Sequence, residues 1–187
     1  SGRTWVQDGM TTTSSTQSGA APSLVRATQA LEDDGRLDGA AAAISSLSAR
    51  IVSSPGRRRA LRGDWLGHAV HPLMTDVPLG AWTSTMVLDL TGGEESRAAA
   101  RRLLAFGVLA SLPTALTGLA EVAGTGSREK RVILVHAASN SLGLALYTAS
   151  LVARRRGKHR TGVLLGLAGG VGAAAGGYLG GHLTEVR

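Results

Sequence analysis

The chain has 187 residues, a formal net charge of +7 and no cysteine. Its length fits a single domain, and the missing cysteines exclude disulfides, cysteine-ligated zinc and iron–sulfur clusters within the chain. The positive charge clusters at the ends of apolar stretches, as in Arg57–Arg59 and Arg154–Arg156, which indicates lipid headgroups as its partner and argues against nucleic acid.

The N-terminal part of the chain is polar. Residues 1–23 consist largely of Ser, Thr, Gln, Ala and Gly without apolar periodicity, which predicts a disordered tail. Within it, residues 1–9 precede Met10 and have the character of a tag or an extended start. No basic stretch followed by an apolar run is present, so no secretory signal peptide is predicted.

Residues 24–64 predict an amphipathic helical segment. Apolar residues recur every three to four positions between Leu24 and Ile51, with a break near Gly35, and charged or serine residues fill the other face. Such a segment lies on the membrane surface or against the bundle. A solvated helical hairpin fits the pattern equally well.

Residues 65–187 predict an all-α, membrane-embedded four-helix bundle. The spans lie at about residues 69–90, 103–123, 132–153 and 161–183, and each is long enough to cross a hydrocarbon core of about 30 Å at about 1.5 Å per residue. The first span is the least apolar, because it contains two aspartates and two prolines. Short loops make sequential neighbours antiparallel, and the low aromatic content of 3% fits packing through small residues.

The positive charges do not decide the orientation in the membrane. With the N-terminus inside, nine Lys and Arg residues flank the spans on the inner side and eight on the outer side, so the positive-inside rule favours neither orientation. We expect the N-terminus inside, because exporting a tail of this length without a signal sequence is difficult.

The fourth span is rich in glycine. Glycines recur every four residues in two rows, Gly162–Gly170 and Gly172–Gly180. Small residues at this spacing favour close helix contact, within the bundle or at a dimer seam. Alternatively, the glycines form a flat helix surface against which a planar cofactor packs.

Polar and ionisable residues from all four spans are predicted at one membrane face, the face at which spans one and three begin. They are His68, His71 and Asp76 with span one, Thr117 and Glu121 in span two, His136 and Asn140 in span three, and Tyr178 and His182 in span four. Ionisable groups at membrane depth are costly and usually face the bundle interior, which makes them candidates for a functional site.

Three arrangements fit these residues. Imidazoles with carboxylates would bind a non-haem transition metal such as zinc, iron or manganese; the candidate ligands are His68, His71, Asp76, Glu121, His136 and His182. Two facing imidazoles would instead hold a b-type haem, with His71, His136 and His182 as candidates. Thr117, Asn140 and Tyr178 would orient the ligands from outside the coordination shell. In the third arrangement the same groups hydrogen-bond to each other and cap helix ends without a cofactor.

Five short motifs are specific in combination. They are Trp65–Pro72 (WLGHAVHP), Thr75–Trp82 (TDVPLGAW), Ala115–Leu119 (ALTGL), Val135–Asn140 (VHAASN) and Gly176–Leu183 (GGYLGGHL). Together they resemble a bacterial membrane family, the domain of unknown function 2231, over about residues 60–185. Ala69 and Val70 stand where the family often has Pro-Leu. The resemblance implies a four-span fold without an established activity; some members carry a Rieske iron–sulfur domain after the last helix, which hints at electron transfer.

The leading hypothesis is a membrane-embedded redox or electron-transfer module with a haem b or other metal centre. It would act in the lipid bilayer with a redox protein partner or as a homo-oligomer. The alternative is a structural membrane subunit or scaffold that has no cofactor and packs through its glycine-rich fourth helix. No catalytic motif is recognised, so no enzymatic activity is assigned. We expect a multi-pass protein of the bacterial inner (plasma) membrane with a cytoplasmic N-terminus.

Overall fold

The computed structural model describes residues 22–185, with side chains described up to Leu183. The predicted disordered tail, residues 1–23, therefore lies almost entirely outside the described residues. The described part forms seven α-helices and no strand, which confirms the all-α prediction. They are α1 (Ser23–Asp33), α2 (Asp38–Ile51), α3 (Pro55–Arg62), α4 (Val70–Thr91), α5 (Arg97–Glu121), α6 (Ser127–Arg155) and α7 (His159–Glu185).

The amphipathic segment, residues 24–64, forms three helices. A 3₁₀ turn at Gly35–Leu37 separates α1 from α2, where the sequence predicts a break. α3 begins after Ser54, whose Oγ accepts a backbone N–H at 3.3 Å as an N-cap, and it ends at Gly63 with φ = 82°. A Cβ at Gly63 would overlap the carbonyl oxygen of His68. Glycine is therefore needed there both for the left-handed conformation and for the close turn into α4.

The four long helices α4–α7 form two antiparallel hairpins. α4 packs along α5, and α6 packs along α7; the hairpins meet through contacts of α5 with α6 and of α4 with α7. The helices therefore close a ring in which α4 and α6 occupy opposite corners. Large side chains from these two helices meet on the central axis of the ring.

Within the described residues, three helices are long and apolar enough to cross a membrane. They are Glu94–Glu121, Ser127–Arg155 and His159–Leu183, which correspond to α5, α6 and α7. α4 is not among them, because a histidine and two aspartates lower its hydropathy. The outer surface of α5 and α7 is apolar: Phe106, Leu109, Leu164 and Val171 are each more than half exposed, which suits contact with lipid rather than water.

The centre of the bundle is an aromatic stack. The rings of Trp82 in α4 and Tyr147 in α6 have centroids 4.2 Å apart and planes inclined by 18°, and both residues are buried beside Leu104. Each ring packs on a glycine of the other helix in its own hairpin, Gly107 for Trp82 and Gly169 for Tyr147. A side chain at either glycine would crowd the ring, so glycine lets the helices approach each other around the stack.

A buried ion pair lies at the end of the bundle where α4 and α6 finish. Arg154 donates from Nη1 and Nη2 to the two carboxylate oxygens of Asp89, at 2.7 and 2.5 Å, and both side chains are almost fully buried. Its Nε also donates to Ser150 Oγ at 3.2 Å. The sequence-based assignment of Arg154 to the headgroup cluster is wrong, because a carboxylate on α4 satisfies the guanidinium inside the bundle.

The N-terminal helices α1 and α2 lie against the bundle. Arg131 of α6 donates to both carboxylate oxygens of Asp38, at 2.7 and 3.0 Å, and to the carbonyl of Glu32 at 2.7 Å. Arg128 pairs with Asp33 at 2.6 Å. These contacts favour the packed arrangement of the segment over a solvated hairpin.

Acid is expected to release α1 and α2 from the bundle. The hydrogen bonds that Arg131 donates lower the pKa of Asp38 below its ordinary value. The pair therefore stabilises docking above about pH 4, and this contribution is lost as the pH falls through the lowered pKa. Asp38→Asn is expected to loosen docking already at neutral pH, which faster hydrogen exchange of the α1 and α2 amides would report.

Asp34→Asn is the matched control for this experiment. The hydrogen bonds that hold the pKa of Asp34 at about 2 come first from Arg36 in the same turn, so their loss leaves the contact between Asp38 and Arg131 in place. Equal amide protection of α1 and α2 in the wild type and in Asp38→Asn would contradict the prediction.

Candidate cofactor site

Two histidines meet inside the bundle at the end where α4 and α6 begin. His71 is the second residue of α4, and His136 lies in the third turn of α6. Their ring centroids are 6.4 Å apart, and the ring planes are nearly perpendicular at 82°. Because α4 and α6 stand at opposite corners of the ring of helices, the two imidazoles come together across its interior in a T-shaped arrangement.

Each imidazole is tied to a main-chain carbonyl through the same nitrogen. His71 Nδ1 lies 3.0 Å from the carbonyl oxygen of Thr114 and 3.3 Å from Thr117 Oγ1. His136 Nδ1 lies 2.7 Å from the carbonyl oxygen of Gly176. A carbonyl oxygen only accepts, so Nδ1 carries the hydrogen in both rings and the neutral imidazole has its lone pair on Nε2. This is the tautomer that a metal-ligating histidine uses when its second nitrogen is held by the protein.

Both rings also pack against a glycine. A Cβ added at Gly118 of α5 would stand 2.8 Å from Cε1 of His71, and one added at Gly180 of α7 would stand 3.0 Å from Cε1 of His136. Any larger residue would have to push the ring away. In each hairpin, glycine therefore brings the helix backbone into contact with the imidazole.

Asn140 is the polar neighbour of His136. Its Nδ2 lies 3.1 Å from Nε2 and 3.4 Å from Nδ1 of His136 and donates to the His136 carbonyl at 3.0 Å. Because the amide nitrogen is close to both ring nitrogens, it lies over the face of the imidazole and does not occupy the in-plane lone pair of Nε2. Of the other residues predicted to orient ligands, Thr117 contacts His71 as described, whereas Tyr178 is exposed on α7.

The remaining predicted ligands do not join the histidine pair. His182 Nε2 lies 2.9 Å from Glu32 Oε1, because docking of α1 brings a carboxylate to the end of α7. His68 and Asp76 are exposed, and Glu121 lines a cleft of about 350 Å³ together with His68. Among the residues that the structure describes, no group of three or more His, Cys, Asp or Glu side chains could hold a single metal ion.

Sequence reasoning missed the residues that lie along the axis beyond the histidines. Trp82 and Tyr147 were not candidates, and Arg154 was assigned to the headgroups. The sequence did contain a pattern from which the ion pair could have been predicted. Asp89 and Arg154 stand near the ends of two helices that run in the same direction. Opposite charges at equal depth in such helices predict an ion pair.

Comparison with known proteins places the chain in a family of undetermined function. No curated protein and no solved structure matches it. The family model described as a predicted membrane protein, domain of unknown function 2231, matches residues 67–186, which include all four long helices up to the last residues described. The chain therefore belongs to the family of predicted membrane proteins known as domain of unknown function 2231.

Proposed function

We propose that this protein is a four-span membrane electron-transfer protein in which His71 and His136 would hold a b-type haem. The observation that carries the proposal is the neighbouring pair of imidazoles from α4 and α6, each held through Nδ1 by a main-chain carbonyl. Metal–imidazole bonds are about 2 Å long, and the 6.4 Å between the two ring centroids is wide enough for one metal atom to be held between the rings.

A haem fits this donor set better than a bare metal ion. A transition metal bound by protein alone usually takes three or four protein ligands, and a third candidate, His182, is engaged with Glu32. A non-haem site would require His182 to leave that carboxylate and reach the pair. The porphyrin brings its own nitrogens, so two axial histidines complete the coordination.

The chain's own residues would orient the ligands and keep water away. The Nδ1 hydrogen bonds to the carbonyls of Thr114 and Gly176 hold both rings in one tautomer and strengthen Nε2 as a donor. Asn140 Nδ2, which lies over the face of the His136 ring, would help to fix the orientation of that ring. The stack of Trp82 and Tyr147 closes the interior on one side of the site. When bound, the haem supplies one-electron redox chemistry.

We propose that α4 crosses the membrane together with the three more apolar helices. Two of its ionisable groups, His71 and Asp89, are directed inward to partners on α5 and α6, so they do not meet lipid. Its outer face carries Leu73, Val87 and Leu90, all at least half exposed. The expected location is the bacterial cell membrane, with the N-terminal helices and the histidine pair on the cytoplasmic side and a redox protein as the electron donor or acceptor.

Haem titration of the purified protein tests the proposal. We expect stoichiometric binding with an intense Soret band and the absorption bands of a low-spin, bis-histidine haem. His71→Ala and His136→Ala are each expected to lose at least tenfold in haem affinity and to lose the low-spin spectrum, because one axial ligand is removed. Absence of a Soret band in the wild type at saturating haem would overturn the proposal.

His182→Ala and His159→Ala are the matched controls, since both remove an imidazole from an end of the bundle. Neither residue faces the pair, and both variants are expected to retain the wild-type spectrum. Loss of the low-spin signal in His182→Ala alone would instead make His182 an axial ligand. Elemental analysis of the same samples distinguishes a haem from bound zinc, manganese or non-haem iron.

The rival function is a membrane scaffold without a cofactor. It is supported by the close contact of α6 with α7 at Gly143, where a Cβ would lie 3.2 Å from the carbonyl of Gly169. In a scaffold, His136→Ala lowers the stability of the protein but changes no bound cofactor. The haem titration therefore separates the two functions.

A further inference from the structure

The two hairpins carry matched residues at constant spacings along the chain. In α4 and α6, three pairs of residues are each 65 positions apart: His71 and His136, Trp82 and Tyr147, and Asp89 and Arg154. In α5 and α7, two pairs of glycines are each 62 positions apart: Gly107 and Gly169, and Gly118 and Gly180. The pairs therefore define a register between the first hairpin and the second.

Contacts at the histidine level are the same in both hairpins. His71 Nδ1 binds the carbonyl of Thr114, and its ring packs on the glycine four residues further along α5. His136 Nδ1 binds the carbonyl of Gly176, and its ring packs on the glycine four residues further along α7. Thr114 and Gly176 are again related by the spacing of 62 positions.

A second hydrogen bond repeats near the other end of the bundle. Thr85 Oγ1 shares its hydrogen between the carbonyl of Ala81 at 2.8 Å and the carbonyl of Ala100 in α5 at 3.3 Å. Ser150 Oγ donates to the carbonyl of Gly162 in α7 at 2.5 Å. The donors are 65 positions apart and the acceptors 62. Together with the rings of Trp82 and Tyr147, each of which rests on its matched glycine, four contacts within one hairpin recur in the other.

The two spacings differ because the turn of the first hairpin is longer. The histidine and its carbonyl partner are 43 positions apart in the first hairpin and 40 in the second, and the hydroxyl and its carbonyl partner are 15 and 12 apart. Both spacings are three residues longer in the first hairpin, so the three additional residues lie between Thr85 and Ala100. This stretch contains the 3₁₀ turn Glu94–Ser96, which has no counterpart between α6 and α7.

Three of the matched pairs touch across the bundle. The two histidine rings are 6.4 Å apart, the two aromatic rings 4.2 Å apart, and the charged groups of Asp89 and Arg154 are 2.5 and 2.7 Å apart. A residue that contacts its own counterpart lies next to the symmetry axis that relates them. Because the three levels follow one another along α4, the axis runs parallel to the helices, as in membrane proteins built from parallel repeats.

We propose that α4–α5 and α6–α7 are two copies of one helical hairpin, paired about a two-fold axis along the bundle, with the histidine site on that axis and built equally from both copies. The repeat itself depends only on the matched contacts, whereas its meaning for cofactor binding rests on the proposed haem function. On that function, each copy contributes one imidazole, one carbonyl acceptor for its Nδ1 and one glycine against the ring.

The two hairpins must carry different residues at the positions of the ion pair, Asp89 and Arg154. Identical copies would bring two aspartates or two arginines together on the axis, and like charges in a buried site repel strongly. Asp89 in one copy and Arg154 in the other give attraction at the same point. The equivalence of the two positions then has a direct consequence: the charges can be exchanged between the hairpins.

Charge exchange in the full chain tests the repeat. Asp89→Arg and Arg154→Asp alone each bury two like charges, and we expect each to lower the unfolding midpoint in detergent severely. The double variant Asp89→Arg/Arg154→Asp is expected to recover at least half of that loss, because equivalent positions accept either partner. A double variant no more stable than the worse single variant would overturn the proposal. Exchange of the exposed pair, Glu94→Arg/Arg97→Glu, is the control and should leave the midpoint unchanged.

If the charge variants cannot be purified, exchange of the two aromatic residues tests whether the hairpins are equivalent. Trp82→Tyr/Tyr147→Trp swaps the two rings of the stack, and on two equivalent positions it should keep the unfolding midpoint within a few degrees of the wild type. Unfolding of this variant would overturn the repeat. Neither exchange changes the histidines, so these outcomes are independent of whether haem binds. Conversely, a failed haem titration leaves the matched contacts and both exchanges unaffected.

Discussion

Replacing Arg154 by Met is expected to lower the free energy of unfolding by about 3–5 kcal/mol, among the largest effects of any single substitution in this chain. Asp89 accepts two charge-assisted hydrogen bonds from the guanidinium and is almost fully buried. Removing the arginine leaves that carboxylate without its counter-ion inside the bundle. Reversible unfolding in mixed detergent micelles, followed by circular dichroism, measures the loss.

Removing both partners is expected to be much milder than removing one. The double variant Asp89→Leu/Arg154→Met has no stranded charge, and apolar replacement of a buried pair is often neutral or stabilising. Arg155→Met is the matched control, because the neighbouring arginine is exposed and should change stability by less than about 0.5 kcal/mol. A loss below about 1 kcal/mol in Arg154→Met would contradict the buried ion pair.

The same substitution, glycine to alanine, is expected to destabilise the protein at Gly107 but not at Gly80. At Gly107 the new methyl group would overlap Nε1 and Cδ1 of Trp82, and this ring cannot retreat because Tyr147 is stacked on it at 4.2 Å. We expect Gly107→Ala to lower the free energy of unfolding by about 1–3 kcal/mol, the usual range for overpacking a core.

Gly80→Ala provides the control on α4. No atom lies within 4 Å of a Cβ built at Gly80, and alanine is favoured over glycine in a helix by up to about 1 kcal/mol. Gly80→Ala should therefore leave stability unchanged or raise it. Equal unfolding free energies for Gly107→Ala and Gly80→Ala would show that the aromatic stack does not limit the approach of α4 to α5. Tryptophan fluorescence of the two variants, measured with Trp5 and Trp65 replaced by Phe, reports the displacement of the Trp82 ring.

Properties that depend on position along the chain were predictable. The helical rise converts residue number into depth, so the placement of His71 and His136 near one end of their helices follows from the sequence alone. The helical character of the long apolar stretches and the break near Gly35 follow from composition and periodicity. The motif Trp65–Pro72 and its companions indicated the family that the comparison confirms.

Properties that depend on rotation about the helix axis were decided by the tertiary structure. Successive residues turn by about 100° around a helix, so depth alone does not say which side chains face the interior. Packing turns His71 and His136 toward each other, and it also brings Asp89 to Arg154 instead of leaving that arginine at the headgroups.

The contact between Glu32 and His182 could not be predicted from the sequence either. Glu32 pairs with His182 across 150 positions of the chain, because α1 docks beside the end of α7. No local pattern encodes such a contact, since it arises from how α1 and α2 lie against α6 through Asp38 and Arg131. The amino-acid sequence by itself determined which helices form and at which depth the histidines stand. Packing between the helices determined which two of the histidines come together inside the bundle.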